Sequence, residues 1–254
     1  NKNTGYIKLT GFTDNAGNEV KEALLALKQK GELKSLVFDL RGNPGGLLNE
    51  AINTANVFIS KGLDVVSTKG KVKEWEKLYK SLNSPVDTGI PIAVLVNSGS
   101  ASASEIVSGT IQDLDRGVVI GQRTFGKGLV QTTRPVSYNS QLKVTTAKYY
   151  NPSGRCIQAL DYSHRNEDGS VGKVPDTLIS VFRTKSGRLV YDGGGVSPDI
   201  SLDAQKYSNI TMSLLSKSLL FDYATKYRTT HASITGPSEF KLKEEDFSDF
   251  VYFL

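Results

Sequence analysis

The sequence predicts an α/β fold with a largely parallel sheet, a β-rich second half and helices toward its C-terminal end. Two observations carry that class. First, a strand, a corner and a helix follow one another twice. Leu36–Leu40 leads into the glycine-rich corner Arg41-Gly-Asn-Pro-Gly-Gly46 and a helix from Leu47 to Ile59; Pro91–Asn97 leads into the small-residue corner Ser98–Ser104 and a helix from Glu105 to Asp113. Such alternation is what helices layered on a parallel sheet require. Second, the texture changes after Gln131, becoming β-rich at Thr132–Val136 and Leu142–Tyr150, then helical beyond Leu202.

In chain order, Tyr6-Ile-Lys-Leu-Thr-Gly-Phe12 alternates apolar and polar residues, the period of a half-buried strand. Asn15 to Lys30 sets Val20, Leu24, Leu25 and Leu27 at helical spacing, with Gly31 to close the helix. Leu47, Leu48, Ala51, Ile52, Ala55 and Phe58 share a helix face that ends near Gly62. Leu63–Thr68 and Val72–Tyr79 read as strands, or as a strand and a loop. Val118-Val-Ile120 is a further apolar strand, and Leu129–Thr133 another. Asn151-Pro-Ser-Gly154 is a turn, and residues 159–192 read as a polar, broken surface insertion with one strand-like piece at Leu178–Phe182. Asp192–Asp199 returns as a loop and short strand. Ile210, Leu214, Leu215, Leu219 and Phe221 then recur at helical spacing, with a short helix after Pro237. The domain organisation expected is a core over residues 1–200 and a helical extension over 201–254 packing on it.

At 254 residues and 38% hydrophobic content the chain can bury a full core. Its apolar runs fall far short of the roughly 18 residues of a membrane span. Asn1-Lys-Asn-Thr-Gly5 has no apolar leader stretch, so an exported protein is expected in mature or trimmed form. The net charge of +5 comes from 31 basic and 26 acidic residues interleaved along the chain, without the basic stripe that tracks phosphates, which argues against nucleic acid. One cysteine, Cys156, excludes an internal disulfide, and His164 and His231 have no partner at metal-ligand spacing. A zinc site or a histidine triad is therefore hard to build.

Chemistry concentrates between Pro91 and Gln131. Ser100, Ser102 and Ser104 crowd the second corner, and Ala101 and Ala103 leave the backbone open at a helix start, where N–H groups stabilise an oxyanion. The same stretch fits a capping box, because Glu105 follows Ser102 by three. Lys127, after Phe125 and between Gly126 and Gly128, has small and apolar neighbours able to strip water from an ammonium. An ordinary lysine, with a pKa of about 10.4, is no base at neutral pH; bringing it there costs about 4 kcal/mol, which burial supplies. A solvated loop lysine is the other reading. Gly121-x-x-x-x-Gly126-Lys127 also mimics a phosphate loop, but Gly128 stands where Ser or Thr would ligate magnesium, and a strand follows where a helix should start. In a parallel sheet both corners open at one carboxyl edge. Gly45 and Gly46 then either supply a second oxyanion donor or serve a tight turn.

Five stretches together resemble a known family: Asp39-Leu-Arg-Gly-Asn-Pro-Gly-Gly46, Asn97-Ser-Gly-Ser-Ala-Ser-Ala-Ser-Glu105, Thr124-Phe-Gly-Lys-Gly-Leu-Val-Gln131, Tyr149-Tyr-Asn-Pro-Ser-Gly-Arg155 and Gly195-Val-Ser-Pro-Asp199. In this order, over about residues 5 to 200, they look like the C-terminal processing peptidases of the S41 serine protease family. The resemblance implies a crotonase-like (ClpP/crotonase-type) core and a serine endopeptidase with a Ser-Lys dyad, needing no metal and no cofactor. It implies Ser102 as nucleophile, Lys127 as base and Gln131 as the residue orienting the lysine amine. Ala103 N–H would be one oxyanion donor and the Gly45-Gly46 turn the other, with Asp113 as structural support. Unfolded or C-terminally tagged proteins and peptides would be the substrates, in the periplasm of a bacterial cell envelope; an oligomer is left open.

Two departures accompany the resemblance. Family members carry a PDZ domain ahead of the position of Tyr6, and this chain reads as a protease core without it. The 159–192 insertion separates two motifs that commonly lie close. Two further functions compete: a non-catalytic binding or scaffold module that keeps the protease fold but is inactive without its PDZ domain, and acyl transfer on small thioesters. The intact Ser102, Lys127 and Gln131 favour the peptidase over the scaffold, and no adenine-pocket signature supports the third.

Overall fold

The computed structural model describes residues 3–204 and 206–254. The chain divides into two compact units, one up to Asp203 and one from Ala204 to Leu254.

The first unit opens with β1 (Thr4–Lys8), which buries Ile7 and turns Tyr6 outward. The alternating pattern predicts a strand as far as Phe12, but pairing stops at Lys8. Phe12 N–H donates to Gly45 O (3.0 Å) and Phe12 O accepts from Leu47 N–H (2.8 Å), so the chain leaves the strand to brace the first corner. Helix α1 (Ala16–Gln29) buries Ala16, Val20 and Leu24. Next come β2 (Ser35–Asp39), α2 (Leu48–Phe58), and an antiparallel pair, β3 (Asp64–Lys69) and β4 (Lys77–Lys80), joined across a single 3-10 turn at Lys73–Trp75. Then follow β5 (Ile92–Val96), α3 (Ala103–Asp113) and β6 (Val118–Gly121). All eleven residues of α3 are buried. A helix enclosed on every side must find protein partners for its polar groups.

After β6 comes an antiparallel pair, β7 (Leu129–Pro135) and β8 (Gln141–Tyr150), joined along their length. The 159–192 stretch is more regular than its polar composition suggests. It holds two hairpins, β9 (Leu160–Arg165) with β10 (Val171–Lys173), and β11 (Val181–Arg183) with β12 (Leu189–Tyr191). Short strands with polar outward faces carry little hydrophobic signal. β13 (Ile200–Ser201) closes the unit.

Five strands, in the order β1-β2-β5-β6-β13, make one all-parallel sheet, and β4-β3-β8-β7 make a second, antiparallel one. β2 and β5 are neighbours in register, with Asp39 beside Leu95. Both corners therefore open at the same edge.

The second unit holds α4 (Asn209–Ser216), α5 (Leu219–Thr230) and α6 (Glu244–Phe253). Its small core forms around Tyr223, whose ring lies 5.0 Å from Phe250 and 5.6 Å from Phe253 and whose hydroxyl donates to Asp246 O (2.8 Å). Among the described residues no helix is long and apolar enough to cross a membrane.

Candidate active site

The three serines of the second corner have different occupations. Ser100 donates its hydroxyl to Leu40 O (2.8 Å) and accepts from Asn97 N–H (3.0 Å). Ser104 donates to Asn43 O (2.9 Å), and both side chains are fully buried. These hydroxyls lash the second corner to the first, helped by Asn97 Oδ1, which accepts from Gly42 N–H (2.8 Å) and Gly99 N–H (3.0 Å). Ser102 alone of the three is partly accessible. Its backbone sits at φ 55° and ψ −111°, a conformation that costs a non-glycine residue about 1–3 kcal/mol and that persists only where the surroundings impose it.

Gly45 lies directly against that serine. A Cβ there would stand 2.8 Å from Ser102 Cβ and 2.7 Å from Ala101 O, at a φ of +99° that only glycine adopts freely. Its N–H is already committed to Asn43 Oδ1 (2.9 Å). Gly46 N–H has no partner among the described residues. Ala103, first residue of α3, has an N–H beyond the reach of the helix's own hydrogen bonding.

The lysine loop is held through its backbone. Glu105 is completely buried; its Oε1 accepts from Thr124 Oγ1 (2.5 Å) and Gly126 N–H (2.7 Å), its Oε2 from Lys127 N–H (2.8 Å) and Ser102 N–H (2.8 Å). Burial pushes the Glu105 carboxyl up, while the Thr124 hydroxyl and the three N–H groups pull it back. Gln158 Oε1 accepts from Gly128 N–H (2.8 Å), and Gly126 O accepts from Ala159 N–H (2.9 Å). No helix follows Gly128; the chain runs straight into β7, unlike a phosphate loop. The Lys127 side chain, by contrast, is exposed. The apolar surroundings expected from its neighbours do not form, because its flanking glycines pack inward against Gln158 and Ala159 and turn the amine out. Gln131 is exposed on β7, and among the described residues no hydrogen bond joins it to Lys127.

Asp113 ends α3 in a buried ion pair with Arg155 (2.8 Å), and its Oδ2 accepts from Ser153 N–H (3.0 Å). Burial pushes its carboxyl up against the pull of Arg155. The second hairpin of the insertion fastens to the same helix end, through Lys185 N–H to Asp113 O (2.8 Å) and Arg188 to Asp115 (2.7 Å).

At the other end of the first corner, Asp39 accepts from Tyr6 Oη (2.6 Å) and from Arg41 Nε (2.9 Å) and Nη2 (2.7 Å). Burial raises its carboxyl, but the Arg41 guanidinium, the Tyr6 hydroxyl and the Arg41 N–H together bring it down to about 2. A depressed carboxylate stabilises the fold above its unfolded value near 3.8 and loses that contribution as pH falls toward 2. We expect Asp39→Asn to melt below the wild type at pH 6, with the gap closing between pH 4 and about 2. A gap that stays constant over that range in thermal melts refutes the linkage.

Glu105, Thr124, Gln158, Asn43 and Asn97 build the site, and sequence reasoning did not single them out for it. Glu105 was visible only by its capping-box spacing; the other four each have a partner 19 or more residues away, which no local pattern shows.

Residues 3–164 match the profile of "Peptidase family S41", and residues 210–254 that of "Probable PDZ-protease, C-terminal helical domain". The chain belongs to peptidase family S41. Over 159 residues it is 43% identical to a "Carboxy-terminal-processing protease" of Bartonella bacilliformis, an alignment covering 61% of this chain and 36% of that one. A "Probable CtpA-like serine protease" of Staphylococcus aureus is 36% identical over 209 residues, or 82% of this chain and 35% of the relative. The solved photosystem II D1 C-terminal processing protease superposes with a TM-score of 0.60 at 31% identity, covering 79% of this chain and 42% of that structure. The chain thus spans about a third of the length of the curated relatives it matches.

Proposed function

We propose that this chain is the catalytic part of a serine endopeptidase of the C-terminal processing type, with Ser102 as nucleophile and Lys127 as general base on a crotonase-like core. One observation carries the reading. Of the three serines at the start of α3, two spend their hydroxyls on the neighbouring corner, while Ser102 stands in a strained, partly open position at a helix N-terminus against Gly45. The relatives' names point the same way.

In this mechanism neutral Lys127 takes the Ser102 hydroxyl proton as Oγ bonds to the peptide carbonyl carbon. The proton then passes to the amine as the C–N bond breaks. Water gives a proton to Lys127 and attacks the acyl ester, and Ser102 Oγ regains the proton as the acid leaves. Ala103 N–H and, by elimination of the committed Gly45 N–H, Gly46 N–H receive the oxyanion. Lys127 is exposed in the chain alone, so the dry surroundings an amine base needs come with the substrate laid across it. Gln131, four residues on, then orients the amine. The substrates are unfolded or tail-exposed polypeptides, and the setting is the bacterial periplasm.

Unfolded casein, with and without EDTA, beside Ser102→Ala and Lys127→Ala, tests the dyad. Cleavage is expected to survive EDTA and to vanish in both variants. Cleavage surviving either substitution sinks the dyad.

A further inference from the structure

We propose that Glu105 is a positioning residue that sets the distance between nucleophile and base, an inference resting on the Ser102–Lys127 reading. One oxygen, Oε2, accepts both Ser102 N–H and Lys127 N–H at 2.8 Å. The two backbone nitrogens therefore lie within twice that distance of each other, although the residues are twenty-five apart in sequence. The other oxygen holds Thr124 Oγ1 and Gly126 N–H, so one carboxylate collects the helix start and three points of the lysine loop. Thr124 is fixed in its turn, because its hydroxyl accepts from Val196 N–H (2.7 Å).

This arrangement exceeds what capping requires. A capping carboxylate reaches back to the N-cap N–H and leaves its remaining acceptor sites to water. Glu105 has no water to serve: it is fully buried, and all four of its hydrogen-bond donors come from the site. A glutamine offers one acceptor oxygen, so it can satisfy only one arm and must present its NH₂ to the donors of the other. Because the Lys127 side chain is exposed, the clamp on its backbone is what holds the residue beside Ser102. A shift of about 1 Å between reacting groups is worth on the order of 10² in rate.

The test measures kcat and KM on an unfolded reporter, the rate at which a fluorophosphonate labels Ser102, and the thermal melt, for the wild type, Glu105→Gln and Thr124→Val. For Glu105→Gln we expect kcat and the labelling rate to fall together by about 10² with KM within twofold, in protein that still melts cooperatively. Thr124→Val, which removes one donor and keeps the shape, should lose about tenfold in kcat and regain it as Thr124→Ser. A purely structural role predicts lower melting temperatures with kcat per folded molecule unchanged, and that result overturns the proposal. If Glu105→Gln does not fold, the Thr124 pair decides: an unchanged kcat in Thr124→Val rejects the clamp. Labelling and cleavage that persist in Ser102→Ala would instead reject the dyad, whatever Glu105 does.

Discussion

Ser102→Ala should lose about 10⁴-fold or more in kcat while melting like the wild type. The substitution removes only the Oγ, leaves α3 and the Glu105 reach-back intact, and alanine carries the same backbone strain as serine at φ 55°. Ser100→Ala should behave in the opposite sense. Its hydroxyl is buried and accepts from Asn97 N–H, so the change strands a backbone donor and costs about 1–3 kcal/mol of stability. Its turnover per folded molecule should stay within a few-fold of the wild type. Kinetics and melts on the two variants read both quantities, and an active Ser102→Ala or an inactive, fully stable Ser100→Ala would assign the nucleophile elsewhere.

Arg155→Met should destabilise the first unit by about 3–5 kcal/mol, because it leaves the Asp113 carboxylate uncompensated in a fully buried position. For a unit of this size that is a fall in melting temperature on the order of 10 °C. Arg155 Nη2 also donates to Gln112 Oε1 (2.7 Å), so the loss reaches the last turn of α3 from two sides. Asp113→Leu alone should cost a similar amount, since it strands the guanidinium and Ser153 N–H. The double variant, with no buried charge left, should cost less than the sum of the two. Strictly additive melts would mean that the pair contributes nothing as a pair.

The elements of the parallel sheet were legible from local pattern. Leu36–Leu40, Pro91–Asn97 and Val118–Ile120 are short apolar runs, and the helices between them repeat at 3.6 residues, so strand and helix alternate visibly along the chain. The insertion was less legible: its strands are three to six residues long and mostly exposed, and its second hairpin is anchored by Arg188 to Asp115, just past α3, and to Asp199. The surroundings of Lys127, open in sequence between a dry amine and a solvated loop lysine, were illegible for a related reason. Small neighbours in sequence suggested a buried amine, but Gly126 and Gly128 give their space to Gln158 and Ala159, residues about thirty positions away.

By itself the sequence determined the α/β class, the two corners and the family to which the motifs belong, because these depend on periodicity, turn residues and order along the chain. Only the tertiary structure decided which serine hydroxyls are spent on the neighbouring corner, which glycine N–H is already committed, and that one buried glutamate gathers the backbones of Ser102 and Lys127. Hydrogen-bond partners of buried groups are chosen by proximity in space, and among three serines of one corner nothing but that proximity separates a hydroxyl tied to the other corner from one left open.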